Sequence, residues 1–356
     1  MNTTSLKVLL YSAFPKNSLG GIAAWTSTYL SESERHGLVC TLVNCASTDA
    51  RAENPEAKIS ICNEIIRTIN IFRSLRQALK SEIDIAHINT SCGPLGIIRD
   101  CIAVKIVKNR NVKAVVHFHC DIPFWIHNRI GKFCLKRMCE NADQIFVLCH
   151  NSAKYLQDSF DLSSIMIPNF VPSENIVSAH KVKGELTDVI YVGGVQPEKG
   201  CYELFRTAEF FPDIHFRLVG QLNEDIKSVT VPDNVQLMGG MQHDKVLELM
   251  DQADLFIFPS HSEGFSLALA EAMSRGLPVI ATDVGANFDM IENHGGLIVP
   301  VRDVQGIIDA IKQLEDVRLR NSMSCWNIKK VQEHYIAKEV VEKIKNCYIQ
   351  ILSREQ

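Results

Sequence analysis

The stretch with the most chemical content runs Phe258-Pro-Ser-His-Ser-Glu-Gly-Phe-Ser-Leu-Ala-Leu-Ala-Glu-Ala-Met-Ser-Arg-Gly-Leu-Pro-Val-Ile-Ala-Thr282. A buried strand is expected to end at Pro259, followed by a polar turn carrying Ser260, Ser262 and Glu263. Alanines and leucines favour a helix from near Ser266, which Gly276 stops before a strand opened by Pro278. The amides that open such a helix, around Phe265 to Leu267, lack partners within it and form an anion site suited to phosphate oxygens. Glu263 falls in the turn beside that site. Glu271, about two turns along the helix, could accept hydrogen bonds from paired hydroxyls such as those of a ribose. A lone Glu is usually a solvated surface charge; two flanking one alanine-rich helix entry are a stronger signal.

These residues need a scaffold, and the rest of the chain supplies one. Short apolar runs alternate with helix-length segments: Lys7–Tyr11, Val39–Asn44, Ile83–Ile88, Ala114–His119 and Gln144–Leu148. That alternation predicts a parallel sheet covered by helices on both faces. Two prolines bracket Met166–Pro172, and the polar segment Ser173–Asp188 reads as a linker. A second series follows with Val189–Val192, His215–Val219, Val235–Met238, Leu255–Phe258, Pro278–Ala281 and an edge strand at Gly295–Val299. Each half is thus expected to be a doubly wound α/β unit that binds ligands at the carboxyl ends of its strands, with a cleft between the halves. Ile328–Leu352 carries an apolar helical stripe long enough to return to the first half. The expected division is residues 1–171 with a terminal helix from about 340 to 356, and residues 172–339.

The whole set resembles the retaining glycosyltransferase family 4, whose two-Rossmann architecture is the GT-B fold. Glu263 and Glu271 match its Glu-x7-Glu signature, and Tyr191-Val-Gly-Gly-Val-Gln-Pro-Glu-Lys-Gly200 resembles its Gly-Arg-x-x-x-Glu-Lys-Gly loop. Leu218-Val-Gly220, Val235–Gly239, Ala253-Asp254, Pro259-Ser260 and Pro278–Asp283 follow in order, as do Gly20-Gly21, His117-Phe-His119 and Ile167-Pro-Asn169 in the first half. The resemblance implies that Lys199 neutralises the donor diphosphate, Glu271 holds the ribose, and Glu263 with the amides of Phe265, Ser266 and Leu267 holds the transferred sugar and phosphates. Gly193, Gly220 and Gly264 complete the donor loops, and Gly20 and Gly21 let backbone approach the diphosphate. His119 would reach sugar or acceptor; alternation places His117 on the same face, and His119 is preferred because it ends its strand. His119, Lys199 and Glu263 are therefore the catalytic candidates.

One departure stands out. Gly194 occupies the place of the family's arginine, so Arg217 and Arg99 become candidate replacements. No Asp-x-Asp pair is present to hold a divalent ion, and a His117–His119–Asp121 site lacks further ligands; no metal or other cofactor is expected. The implied activity is retaining, metal-independent transfer from a nucleotide-diphosphate sugar, UDP-linked before GDP-mannose, to a glycan or lipid-linked acceptor of bacterial surface polysaccharide. A catalytically silent subunit and a nucleotide-sugar 2-epimerase are the alternatives. A nicotinamide dehydrogenase is disfavoured because neither glycine pair fits Gly-x-Gly-x-x-Gly.

Composition agrees with this reading. The 356 residues are 46% hydrophobic and 22% charged, an ordinary globular balance. Residues 1–170 hold 19 Lys and Arg against 14 Asp and Glu, and residues 171–356 hold 18 against 27. The basic half is the one expected to face anionic matter. Ile126–Cys139, with Arg67, Arg73, Arg76 and Lys80, could rest on an anionic membrane surface. Nucleic acid is not an expected partner. Twelve scattered cysteines without a Cys-x-x-Cys fit reduced thiols, and no run reaches the length of a membrane span. The expected location is the cytoplasm, peripheral to the inner membrane.

Overall fold

A computed structural model describes residues 5–14, 21–46 and 61–354; Gly20, one of the candidate donor residues, lies outside them. The first series of strands is β1 (Leu6–Ser12), β2 (Leu38–Asn44), β3 (Ile85–Thr90), β4 (Lys113–Phe118), β5 (Gln144–Val147) and β6 (Ile165–Met166). Their helices are α1 (Gly21–Arg35), α2 (Ile61–Ala78), α3 (Pro94–Lys108), α4 (Ile122–Trp125), α5 (Arg129–Asn141) and α6 (His150–Phe160). All six strands are parallel, in the order β2-β1-β3-β4-β5-β6. Val8–Tyr11 and Ala114–Phe118 are buried throughout, as parallel strands covered on both faces must be.

The second series is β7 (Asp188–Val192), β8 (His215–Val219), β9 (Val235–Gly239), β10 (Leu255–Phe258), β11 (Val279–Thr282) and β12 (Gly296–Val299), in the parallel order β12-β11-β10-β7-β8-β9. Its helices are α7 (Cys201–Ala208), α8 (His243–Gln252), α9 (Leu267–Ser274), α10 (Asn287–Ile291), α11 (Val304–Gln313) and α12 (Val317–His334), and the chain closes with α13 (Ala337–Ser353). The two sheets are those of a GT-B protein.

The chain divides into two compact units, Met1–Asn169 with Ala337–Gln356, and Phe170–Ile336. The terminal apolar stripe is not one helix. It breaks at Tyr335-Ile336, where the Val171 amide donates to the Tyr335 carbonyl at 2.8 Å and Ile336 bridges to Val171. The break frees α13 to pack on α1 within the first unit. Ser173–Asp188 is not a free tether either. Arg320 on α12 donates to the carbonyls of Lys183 and Gly184, and Arg275 donates to that of Asn175. All twelve cysteines are free thiols.

Strand order fixes where a ligand can sit. In each sheet the chain winds outward one way from its first strand and then back on the other side, between β1 and β3 in the first and between β7 and β10 in the second. At such a reversal the flanking loops part and leave a crevice at the strands' carboxyl ends.

Candidate functional site

In the second unit the crevice is flanked by Val192-Gly193 at the end of β7 and Phe258-Pro259 at the end of β10. Each end carries one candidate. A single 3-10 turn, Pro197–Lys199, places Lys199 after β7, and the turn after β10 places Glu263. Their side chains meet across the reversal point, Lys199 Nζ to Glu263 Oε1 at 2.5 Å, with 28% and 12% of each side chain exposed. Among the described residues of this unit the predicted cation and carboxylate form one pair.

The Glu263 turn is held from several sides. The His261 amide donates to the Glu198 carbonyl at 2.9 Å, the Thr282 hydroxyl to the Ser260 carbonyl at 2.5 Å, and the Ala286 amide to the Gly264 carbonyl at 2.9 Å. His261 Nε2 lies 3.0 Å from Glu203 on α7. Two glycines permit this closeness. A Cβ on Gly200, at φ 80°, would fall 2.2 Å from the Pro259 carbonyl, and one on Gly285, at φ 56°, 2.4 Å from that of Glu263. So many restraints on one turn hold its carboxylate in a fixed place.

Helix α9 begins as its sequence predicts. Ser266 is the N-cap, accepting from the Leu269 amide at 3.2 Å, which leaves the helix-opening N–H groups and their partial positive charge on the Glu263 side. Phe265 packs its ring edge-on against Tyr335, 5.3 Å between centroids. Glu271, within that helix, is not solitary: His243 Nε2, from the first turn of α8, sits 2.8 Å from its Oε1. Sequence reasoning missed His243, because nothing local marks a histidine that two separate βα loops bring onto a carboxylate. The hydrogen bond to Glu271 raises the pKa of His243 above its ordinary value.

Gly193 and Gly220 leave room for close neighbours, a side chain at the first and backbone at the second. At φ 149°, a Cβ on Gly220 would lie 1.8 Å from the Gly193 carbonyl oxygen, and one on Gly193, at φ 157°, would lie 2.7 Å from the Tyr191 hydroxyl. Gly194 is different. A Cβ there would touch only the Gln196 side chain, at 3.7 Å, so the family's arginine is missing without steric cause.

In the first unit Gly21 opens α1, and His119 follows directly on β4, its amide donating to the Thr90 carbonyl at 2.8 Å. His117 and His119 do share a face, with ring centroids 4.1 Å apart. Burial holds the pKa of His119 down at about 3, with Asn169 opposing the shift in part, so the ring is neutral at physiological pH. Neither of its nitrogens makes a well-formed hydrogen bond among the described residues, whereas His117 is fully buried and bonded inward. Asp121, weighed above with these histidines, instead accepts from Asn151 at 3.0 Å on both oxygens and from Ser152 at 3.3 Å. Among the described residues no three of His, Cys, Asp and Glu gather as a metal site.

The profile for glycosyl transferases group 1 matches residues 172–328, and that for glycosyltransferase family 4 matches residues 19–175. The chain belongs to glycosyltransferase family 4. A galactosyltransferase of Escherichia coli, described as UDP-Gal:alpha-D-GlcNAc-diphosphoundecaprenol alpha-1,3-galactosyltransferase, is 26% identical over 341 residues, covering 83% of this chain and 81% of its own. Among solved structures, sucrose-phosphate synthase from Thermosynechococcus elongatus superposes with a TM-score of 0.80 at 17% identity, covering 98% of this chain and all of its own. An Anabaena protein crystallised with UDP and glucose does so at 0.74 and 15% identity, covering 97% and 100%.

Within this glycosyltransferase each candidate replacement for the absent arginine already has an acidic partner. Arg217, at mid-strand opposite Ile190, is bound to Asp188 at 2.5 Å, toward the start of β7 and away from the ligand end. Arg99 is held in the first unit by Asp100 at 2.9 Å and by the Cys45 carbonyl, and lies over the Tyr11 ring. Of the two cations considered in the second unit, Lys199 is the one that stands at the β7–β10 reversal.

Proposed function

We propose that the transferase moves a sugar from a UDP-sugar, with GDP-mannose as the second choice, to a lipid-linked glycan, retaining the anomeric configuration and using no metal. The observation that carries this reading is the Lys199–Glu263 pair at the strand reversal, beside the opening of α9 and ahead of Glu271. As the anomeric bond breaks, negative charge gathers on the departing diphosphate. An ammonium and helix-opening amides stabilise that charge more than they do the ground state, which is what catalysis requires. The departing phosphate oxygen then takes the acceptor's proton as the acceptor attacks the same sugar face. The E. coli relative's UDP-Gal donor and diphosphoundecaprenol-linked acceptor support the substrate classes, as do the UDP and glucose of the Anabaena structure.

The first unit has a surface suited to such an acceptor. Helices α2, α3 and α5 lie side by side and expose Ile65, Ile66, Leu95, Ile130 and Phe133, the last three more than 60% exposed. Phe124 and Trp125 on α4 are also exposed. Arg73, Arg76, Lys132, Lys136 and Arg137 are exposed on the same helices; Arg67 is not, being turned onto Glu64 and the carbonyls of Cys45 and Ala46. Exposed apolar side chains and cations on the same helices are what an anionic bilayer surface binds, and no described helix is long and apolar enough to cross a membrane. The cytoplasmic face of the inner membrane is the proposed place of action.

The test is transfer from a panel of nucleotide sugars to diphosphoprenol-linked GlcNAc in anionic vesicles, with and without EDTA. We expect product whose anomeric NMR coupling matches the donor's, formed equally with EDTA present. Inverted product or loss of activity with EDTA overturns the mechanism. The enzyme should float with these vesicles at low salt, and Ile130→Glu with Phe133→Glu should release it. The absent arginine favours one other reading, a subunit that binds donor without turnover; donor-induced thermal stabilisation with no transfer to any acceptor would establish it.

Glu271 also gives a pH dependence. His243 has its pKa raised by Glu271, and secondarily by Asp244, so the ionic pair is complete below the unfolded value of about 6.5 and is lost as pH rises through the elevated folded value. A donor that needs Glu271 for its ribose competes with that pair. Its affinity, measured calorimetrically with an intact nucleotide sugar, should weaken several-fold from pH 8.5 to pH 6, and His243→Ala should flatten the profile.

A further inference from the structure

The first unit buries a hydrogen-bonded chain that the donor site does not use. Tyr29 Oη on α1 lies 2.9 Å from Tyr348 Oη on α13, and Tyr348 Oη lies 2.5 Å from His87 Nδ1 on β3. His87 Nε2 lies 3.3 Å from His117 Nδ1 on β4. All four side chains are fully buried. Trp25 fills the centre, stacked on Tyr29 at 4.7 Å and packed against His87, His117 and His119 at 5.1–5.6 Å.

A neutral imidazole has one N–H and one lone pair, so in such a chain the direction of one hydrogen bond dictates the next. Burial lowers the pKa of His87 to about 3 and that of His117 as well, the latter helped by its neighbouring imidazoles, so both rings stay neutral. With Tyr348 donating to His87 Nδ1, His87 carries its proton on Nε2 and donates to His117 Nδ1. His117 then carries its own proton on Nε2, a buried nitrogen with no hydrogen-bond partner among the described residues. Its ring is fixed in plane and tautomer, and His119 packs against it at a tilt of 41°, 4.1 Å between centroids.

We propose that Tyr348 of the closing helix is a positioning residue that, through His87, fixes the tautomer of His117 and with it the orientation of the His119 ring packed against it. The proposal rests on the reading of His119 as the residue that meets sugar or acceptor. It also accounts for the return of α13 to the first unit, since that helix supplies the hydroxyl.

The test is Tyr348→Phe in the full chain, with histidine ring-¹⁵N NMR and steady-state kinetics. In the parent protein, His87 and His117 should show the neutral Nε2–H pattern from pH 5.5 to 8. In the variant both rings should become tautomer mixtures, and kcat should fall about tenfold with the donor KM unchanged. Combining it with His87→Gln should cost no more than the worse single change, since both cut one chain. Unchanged tautomers in a folded variant overturn the proposal. So do altered tautomers with full kcat, and if His119→Ala is inactive in that case the reading of His119 stands alone. A fully active His119→Ala overturns both. If Tyr348→Phe does not fold, the same NMR and kinetic comparison on His87→Gln decides.

Discussion

Lys199→Ala is expected to lower kcat by about 10²–10³-fold, the usual cost of removing one group that stabilises developing negative charge. Lys199 stands at the β7–β10 reversal with Gly194 in the place of the family's arginine, and Arg217 and Arg99 are paired with Asp188 and Asp100. The loss should appear mainly in kcat, because the charge on the departing diphosphate is greatest in the transition state. Donor Kd should change less, since the ammonium must leave Glu263, 2.5 Å away, to meet the donor. Glu263→Gln separates the two roles, leaving the cation in place while removing its partner. Rapid-quench single turnovers with saturating donor measure the effect. A kcat within threefold of the parent would mean that some other group takes up the charge.

Gly220→Ala is expected to damage the second unit itself. Its φ of 149° is disfavoured for side-chain-bearing residues, and the added methyl would lie 1.8 Å from the Gly193 carbonyl oxygen, 2.6 Å from its carbon. Backbone strain and overpacking together cost about 2–5 kcal/mol. For a unit of this size that lowers Tm by about 5–15 °C, and displacement of the Gly193 loop should abolish donor-induced stabilisation. Gly194→Ala, in the same loop, is the matched control. Its Cβ meets nothing nearer than 3.7 Å, so the change should stay within about 0.5 kcal/mol. Differential scanning calorimetry of both variants decides; equal melting would mean the two loops can separate freely.

The division of labour between chain and fold can be read from these residues. The alternation of short apolar runs with helical segments determined both parallel sheets apart from β6, because a strand buried on two faces has few residue types open to it, whereas the two residues of β6 are too few to carry a pattern. The ordered motifs from Gly193 to Glu271 marked the strand ends, turn and helix start that the structure brings to one crevice, because each of these imposes its own local chemistry. Pairing was decided only by the tertiary structure. Lys199 meets Glu263 because β7 and β10 are neighbours at a strand reversal, 64 residues apart in sequence. His243 reaches Glu271, and Tyr348 reaches His87 across 261 residues, through contacts that leave no local mark. The break at Tyr335-Ile336 was likewise invisible, since the apolar stripe continues across it. Periodicity reports which face of an element is buried, but not which element it will meet.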